Sequence, residues 1–131
     1  AFNWSWQRGY PRTHGGNLAL INPVTHKFNN EPLQPNRPYS VLCYAGTENK
    51  SAPTTSTKWF MVDTTFSDTS KASEIAHRLC HNAGGKFAVP TTSYWMDDAF
   101  AALKTQNHIV TNYQRVGENW IPNDGKSLLV P

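Results

Sequence analysis

The clearest pattern in the chain is an amphipathic helix in its second half. Polar side chains at residues 67–69 can cap the start of this helix, and Gly84-Gly85 can end it. A second helix is predicted from Tyr94 to Lys104. Apolar residues of the first helix recur at i, i+3, i+4, i+7 and i+8, the spacing of one buried helical stripe: Ala72, Ile75, Ala76, Leu79 and Cys80.

The remaining apolar segments are short and favour strands. Residues 2–6 alternate apolar and polar positions, as a half-buried strand does. Further strands are predicted at residues 17–21, 39–44, 59–62, 86–90, 109–113, 120–121 and 128–130. Between them lie a proline-rich loop with Pro32, Pro35 and Pro38, and a polar linker at residues 47–57. The sequence therefore predicts a β-rich α+β fold with two helices.

Length and composition indicate one folded domain, residues 1–131. Hydrophobic residues make up 38% and charged residues only 16%, with Asn, Thr, Ser, Pro and Gly filling the difference. Five Trp, five Tyr and six Phe argue against disorder. The chain starts without a signal-peptide pattern, which we interpret as a mature form or as one recognition domain of a longer secreted protein.

Charge and hydropathy argue against two classes of partner. The net charge is +3, but the 12 Lys and Arg residues are scattered without a run of three. Nucleic-acid binding usually requires a clustered basic stripe, so no nucleic-acid partner is expected. No stretch approaches the roughly 18 apolar residues of a membrane helix, so no membrane insertion is expected.

Two cysteines allow either a disulfide or two buried thiols. Cys43 lies in a predicted strand, and Cys80 lies on the buried stripe of the first helix. A strand packed on a helix can bring two such side chains within bridging distance. The residues are 37 positions apart, and closing that loop is worth about 4 kcal/mol in the chain-entropy model. We expect the Cys43–Cys80 disulfide, and with it an oxidising, extracytoplasmic compartment.

One helical pair offers a metal site. His77 and His81 stand at i, i+4, a spacing that lets two imidazoles hold one metal ion. Arg78 occupies the position at which zinc proteases carry a glutamate. Two interpretations remain open: a polar helix face with two exposed histidines, which we favour, and a weak surface zinc site.

The sequence contains no convincing catalytic pattern. No serine stands in a nucleophile-elbow motif, and the apolar setting of Cys80 does not suit a reactive thiol. Asp97 and Asp98 are adjacent on the predicted second helix, where they point in different directions and suit its positive end. We expect a protein without enzymatic activity or cofactor. A small secreted hydrolase is the alternative, supported only by scattered His and Asp residues.

Aromatic residues beside the polar loops are the candidate binding residues. Trp and Tyr are enriched at binding hot spots. Ordinary packing in the core would account for about three of the five, and the rest would form a recognition surface. The candidates are Trp4, Trp6, Tyr10, Tyr113 and Trp120.

Two stretches of the chain resemble C-type-lectin-like domains. The strand at residues 59–65, the Cys80 helix, Gly84-Gly85 and the strand before Thr91 follow the order of the first half of such domains. Within that superfamily the order is most similar to the terminal domains of intimin/invasin-type bacterial adhesins. Residues 18–22, the proline-rich loop and residues 38–43 resemble the closing strands of the same adhesin domains. Here the closing segment precedes the opening one, as in a circular permutation joined through residues 47–57.

The resemblance implies both a bridge and a function. In that family the Cys of the last strand bonds the Cys of the first helix, which Cys43 and Cys80 would reproduce. It also implies extracellular protein recognition, with an intimin-like outer-membrane protein, a secreted adhesin component or a host receptor as partner. The expected setting is a secreted or surface-exposed adhesin system of bacterial virulence.

Two alternatives accompany that resemblance. An immunoglobulin-like β-sandwich is the alternative fold, although Cys43 and Cys80 are too close for its usual Cys…Trp…Cys layout. A carbohydrate-binding lectin is the alternative function. Residues 34–36 (Gln-Pro-Asn) and 122–124 (Pro-Asn-Asp) resemble the calcium motifs of sugar-binding members, at other positions than the family uses.

Overall fold

The fold was analysed in a computed structural model, which describes residues 6–45, 58–89 and 104–122. Several predicted features lie outside these residues: Trp4, the linker at 47–57, most of the second helix at 94–104, and the strand at 128–130. The described part is a β-rich α+β fold with one α-helix and a mixed sheet. It confirms the coarse fold class predicted from the sequence.

Seven strands of the described residues form one sheet in the order β2-β1-β6-β3-β4, with β5 joined to β3 and β7 joined to β6. Pairing is antiparallel except between β3 and β6, which run parallel. In chain order the elements are β1 (Leu18–Ile21), β2 (Phe28–Asn29), β3 (Tyr39–Ala45), β4 (Lys58–Thr64), a 3-10 turn (Thr69–Lys71), α1 (Ala72–Asn82), β5 (Lys86–Phe87), β6 (His108–Val116) and β7 (Asn119–Pro122).

Helix α1 forms where the periodicity predicts it. The Asp68 carboxylate accepts a hydrogen bond from the Ser70 backbone N–H at 3.1 Å and starts the 3-10 turn that leads into the helix. Ala72, Ala76 and Cys80 are buried, as the predicted stripe requires. Beyond the helix, Gly84 has a φ of +91°, a left-handed conformation that glycine adopts without steric cost.

Strand β3 is the centre of the sheet, and six of its seven residues are buried. Its side chains alternate between two hydrophobic clusters, one on each face. Leu42 and Tyr44 pack with Ile109, while Val41 and Cys43 pack with α1 on the other face. Burial on both faces explains why this strand is a continuous apolar run in the sequence.

The disulfide Cys43–Cys80 is present and joins β3 to α1. The Cα atoms are 5.4 Å apart, and both residues are fully buried. The geometry lies within the range that an ordinary disulfide requires.

Two strands, β6 and then β5, pair in turn with the same edge of β3, so the sheet divides there, and we call this division the fork. Buried polar side chains lie at the fork. Strand β6 pairs with β3 only as far as Val110, and β5 then takes its place beside Cys43. Asn112 is fully buried and donates from Nδ2 to the Phe87 carbonyl at 2.8 Å. This bond spans the fork and connects β6 to β5 beyond the point where β6 stops pairing with β3.

Candidate functional site

An aromatic cluster covers the sheet next to the β6–β7 hairpin. Trp6, Phe28, Tyr113 and Trp120 form the cluster. The Trp6 ring centroid is 5.1 Å from Trp120, 5.9 Å from Phe28 and 6.0 Å from Tyr113. Phe28 and Tyr113 are 0% and 4% exposed, whereas Trp6 and Trp120 are only partly buried. Trp6 and Trp120 are therefore the members that reach the surface.

The structure brings three of the five predicted binding aromatics together. Trp6, Tyr113 and Trp120 share the aromatic cluster, and Tyr113 supports the two tryptophans from the core side. Tyr10 lies apart from the cluster, beside Glu31 and Arg12. Trp4 is outside the described residues.

A loop at residues 12–17 lies next to this cluster, and Arg115 of β6 holds it. The guanidinium donates to the carbonyl oxygens of Arg12 at 3.3 Å, Thr13 at 3.0 Å and Gly15 at 3.3 Å. It also donates from Nε and Nη2 to the Asn17 side-chain oxygen at 3.1 and 3.0 Å. Five bonds match the five N–H donors of a guanidinium. One cation therefore fixes four residues of the loop.

Arg115 also connects the loop to the aromatic cluster. Its guanidinium carbon lies 5.8 Å from the centroid of the Trp120 ring, within range of a cation–π interaction. Arg115 and Trp120 are cross-strand partners in the β6–β7 hairpin, which places them side by side. We call Trp6, Trp120, Arg115 and residues 12–17 the clamp surface.

Asn30 holds the same loop from its other side. This residue is fully buried; its Oδ1 accepts from the Arg12 N–H at 2.7 Å, and its Nδ2 donates to the carbonyls of Arg12 and Gly16 at 2.8 and 3.1 Å. The Gly16 N–H donates to the Asn30 carbonyl at 2.6 Å. A Cβ at Gly15 would lie 2.4 Å from that carbonyl oxygen, so glycine is required for the close approach.

Arg12 and Glu31 line a cavity of about 630 Å³ beside the loop, and Tyr10 contacts both residues. The Tyr10 hydroxyl donates to the Glu31 carboxylate, which raises the pKa of Tyr10 above its ordinary value. The Arg12 guanidinium is 3.3 Å from the same carboxylate and lies over the Tyr10 ring at 4.4 Å. The cavity lining also includes Thr13 and His14.

The other perturbed groups have structural causes and lie elsewhere. Burial lowers the pKa of His108 at the start of β6, and the positive charge of Arg37 adds to the effect. The pKa of Asp68 is lowered because its carboxylate accepts hydrogen bonds from Ser70, where it caps the turn before α1. Neither residue lines the cavity beside the loop.

The described part of the chain offers few metal ligands at the His77–His81 pair or at the two calcium-like segments, residues 34–36 and 122–124. His77 and His81 are both exposed on α1, and the His77 ring packs edge-to-face with Phe87 at a centroid distance of 5.2 Å. Among residues 6–45, 58–89 and 104–122, no group of three His, Cys, Asp or Glu side chains converges on a common point. Asn36 belongs to an exposed turn with a φ of +61°, and Asn123 and Asp124 are outside the described residues. Zinc binding by His77 and His81 stays the less favoured of the two interpretations, and the described residues do not test it.

Sequence reasoning missed Arg115 and Asn30, which hold the clamp surface together. Neither residue belongs to a motif, and their partners are distant in sequence. Asn30 lies 18 positions from its partner Arg12, and Arg115 lies 103 positions from the same residue. The available signals were weak: a glycine pair at Gly15-Gly16, and an arginine two residues beyond the strand predicted at residues 109–113. Only the folded arrangement identifies them.

Comparison with known proteins shows no family for this chain. No family model matches the sequence, and neither a curated protein nor a solved structure matches the chain. In the described ranges, no helix is long and apolar enough to cross a membrane.

Proposed function

We propose that this chain is an extracytoplasmic protein-recognition domain that contacts its partner through the clamp surface. The observation that carries the proposal is Arg115, which fixes a surface loop and packs against Trp120 at the same time. A loop fixed before binding loses little conformational entropy on association. Trp and Arg are also the residues most enriched at binding hot spots. The clamp surface combines both properties.

The disulfide supports the extracytoplasmic part of the proposal. Cys43 and Cys80 are fully buried and bonded to each other. Structural disulfides persist in oxidising compartments and are rare in reducing ones. A secreted or surface-exposed protein is the setting that this bridge favours.

The pairing of β3 with β4 supports a C-type-lectin-like fold with its halves in swapped order. The two strands are antiparallel over seven residue pairs, and Ala45 stands opposite Lys58 at the end of the ladder. A circular permutation joins two chain ends that were already close together. The predicted junction at residues 47–57 connects just such a pair of neighbouring ends. The bridge from β3 to α1 agrees with the pairing that the resemblance implies.

Recognition is favoured over catalysis because the groups with perturbed pKa values have structural explanations. Asp68 caps a turn, and His108 is half-buried at the start of β6. Tyr10 donates to Glu31, and only Glu31 of this pair lines the cavity. An enzyme would need such groups to converge on a reacting atom. The adhesin resemblance supports an intimin-like outer-membrane protein, a secreted adhesin component or a host receptor as the partner.

The test is direct binding of the purified chain to purified extracellular regions of intimin-like proteins, measured by biolayer interferometry. Trp120→Ala removes the surface tryptophan, and a hot-spot loss of about 2 kcal/mol weakens binding roughly thirtyfold. Val24→Ala is the matched control, because Val24 is 86% exposed in a turn outside the clamp surface. Binding of this control should stay within about twofold of the wild type.

Two results would overturn the proposal. One is protein binding that Trp120→Ala leaves unchanged, provided that near-ultraviolet circular dichroism shows the variant to be folded. The other is binding to glycans on an array, with or without calcium, in the absence of any protein partner. The second result would favour the lectin alternative.

A further inference from the structure

We propose that the turn at residues 12–15 is a subsite for a carboxylate group of the protein partner. The inference rests on the proposed function and deepens it, because it names the chemistry that the partner presents. Thr13 and His14 occupy the centre of this turn, which the Gly15 N–H closes by donating to the Arg12 carbonyl at 3.2 Å. Both residues line the cavity of about 630 Å³.

The backbone of the turn is polarised by Arg115. The carbonyls of Arg12 and Thr13 both accept from its guanidinium. A trans peptide is planar, so each N–H points opposite to the carbonyl of the same peptide unit. The N–H groups of Thr13 and His14 therefore point away from Arg115. Within the described part of the chain, neither N–H group has a hydrogen-bond partner.

The next peptide of the loop supports this geometry. The Gly15 carbonyl accepts from Arg115 at 3.3 Å, and the N–H of the same peptide unit, on Gly16, donates to the Asn30 carbonyl at 2.6 Å. That N–H group finds a carbonyl oxygen on the side away from Arg115. The N–H groups of Thr13 and His14 also point away from Arg115, where each can donate to an oxygen. An external anion can supply that oxygen.

The local charge favours an anionic oxygen. Residues 8–16 include Arg8, Arg12 and His14 and no acidic side chain. The neighbouring acid, Glu31, is already held by Arg12 and by the Tyr10 hydroxyl. Arg12 uses Nη1 for this contact, and a guanidinium has five N–H donors, so further donors are available to a second carboxylate. Adjacent backbone N–H groups that lie beside cationic side chains and have no partner within the described part of the chain can bind an anionic oxygen.

A side-chain carboxylate suits the position of the subsite. Arg115 stands between the turn and the Trp120 ring, so a partner that contacts both would place its acidic residue on the far side of Arg115 from its apolar contact with Trp120. Binding hot spots combine aromatic anchors with hydrogen-bonded charged groups in this way. An acidic residue flanked by apolar residues is thus the sequence feature that the partner should present.

The test is a titration of the nitrogen-15-labelled chain, followed by two-dimensional NMR. The probes are a capped pentapeptide with one glutamate between glycines, its glutamine counterpart, and sodium sulfate. The amide resonances of Thr13 and His14 should shift with the glutamate peptide and stay in place with the glutamine peptide. Shifts with sulfate alone would overturn the assignment to a carboxylate, as would equal shifts with both peptides.

Two variants of one residue separate the backbone donor from the side chain. Thr13→Pro removes the N–H, and proline suits the second position of a turn. Thr13→Ala keeps the N–H. A hydrogen bond to a charged group predicts about tenfold weaker binding of the glutamate peptide by Thr13→Pro, and a change within about twofold by Thr13→Ala. Equal affinities of the two variants would overturn the proposal.

A charge variant keeps the test decisive if proline disturbs the loop, which a shifted Gly16 amide resonance would reveal. Arg12→Gln leaves the backbone bonds of Arg12 in place and should weaken glutamate-peptide binding about three- to tenfold. Unchanged binding would count against the subsite. Partner binding that depends on Trp120 but not on Thr13 or Arg12 would sink the subsite and leave the proposed function standing. The reverse result, partner binding that depends on Thr13 and Arg12 but not on Trp120, would leave the subsite standing and would remove the aromatic part of the clamp surface from the proposed function.

Discussion

Reducing the Cys43–Cys80 bond should lower the free energy of unfolding by about 4 kcal/mol. The bridge closes a loop of 37 positions, and the chain-entropy model assigns such a loop about 13 cal/mol/K, or about 4 kcal/mol at 25 °C. Domains of this size have a total stability of about 5–15 kcal/mol, so the loss is a large fraction of the whole. Because both cysteines are fully buried, the native bond should resist mild reductants until the protein is partly unfolded.

The assay is urea unfolding followed by tryptophan fluorescence, with and without a strong reductant. For an m-value of about 2 kcal/mol/M, a loss of about 4 kcal/mol moves the midpoint down by roughly 2 M. The double variant Cys43→Ala, Cys80→Ala serves as the comparison. The reduced wild type keeps both sulfur atoms and loses only the covalent link. The double variant also loses their packing, so it should be less stable by a further 1–3 kcal/mol or so.

One result would refute this reasoning. If reduction of the wild type changed the free energy of unfolding by less than about 1 kcal/mol, the bridge would not act through the entropy of the unfolded chain. A loss confined to the double variant would instead assign the effect to packing at the β3–α1 contact. The two samples therefore separate the covalent contribution from the packing contribution.

Three further predictions concern packing, pH and the clamp surface. Gly85→Ala should lower the free energy of unfolding by about 1–3 kcal/mol through overpacking, because its Cβ would lie 2.8 Å from the Phe60 ring. Thermal unfolding should show this as a lower melting temperature. The free energy of unfolding should fall as the pH decreases below about 6.5, because the lowered pKa of His108 makes the unfolded chain bind a proton more readily than the folded chain does. His108→Asn should flatten this pH dependence, measured by urea titrations at about pH 7.5 and about pH 5. Arg115→Lys should speed hydrogen exchange at the Gly16 amide about tenfold, since an ammonium cannot reproduce the five-donor fork; an unchanged rate would show that Asn30 holds the loop alone.

The pattern of apolar residues predicted the elements whose burial shows directly in their own sequence, either as a helical stripe or as a continuous apolar run. Helix α1 begins at Ala72 and buries the stripe that its i, i+4 spacing indicates. Strand β3 matches a continuous apolar run because it is buried on both faces, and the apolar residues of β4, mostly partly buried, pack against the same two clusters. Strand β2 has only two residues and is defined by its pairing with β1, so its own sequence carries little signal.

The pairing of distant strands could not be predicted in the same way. Strands β3 and β6 are separated by more than 60 residues and run parallel for only three register pairs. The fork at β5 depends on a single buried amide, that of Asn112, and an asparagine in a strand ordinarily indicates an edge or a turn. Local patterns report burial and periodicity, whereas strand order depends on contacts between segments far apart in the sequence.

The clamp surface depends on that long-range order. Its tryptophans come from opposite ends of the described chain, and Arg115 reaches the loop only because β6 pairs with β1 next to residue 17. The Arg115 N–H donates to the Asn17 carbonyl at 2.9 Å, so strand pairing and the guanidinium clamp share one residue. A surface assembled in this way forms only when the sheet has formed. Its loss should therefore coincide with global unfolding, whereas a loop held by local contacts alone would melt earlier.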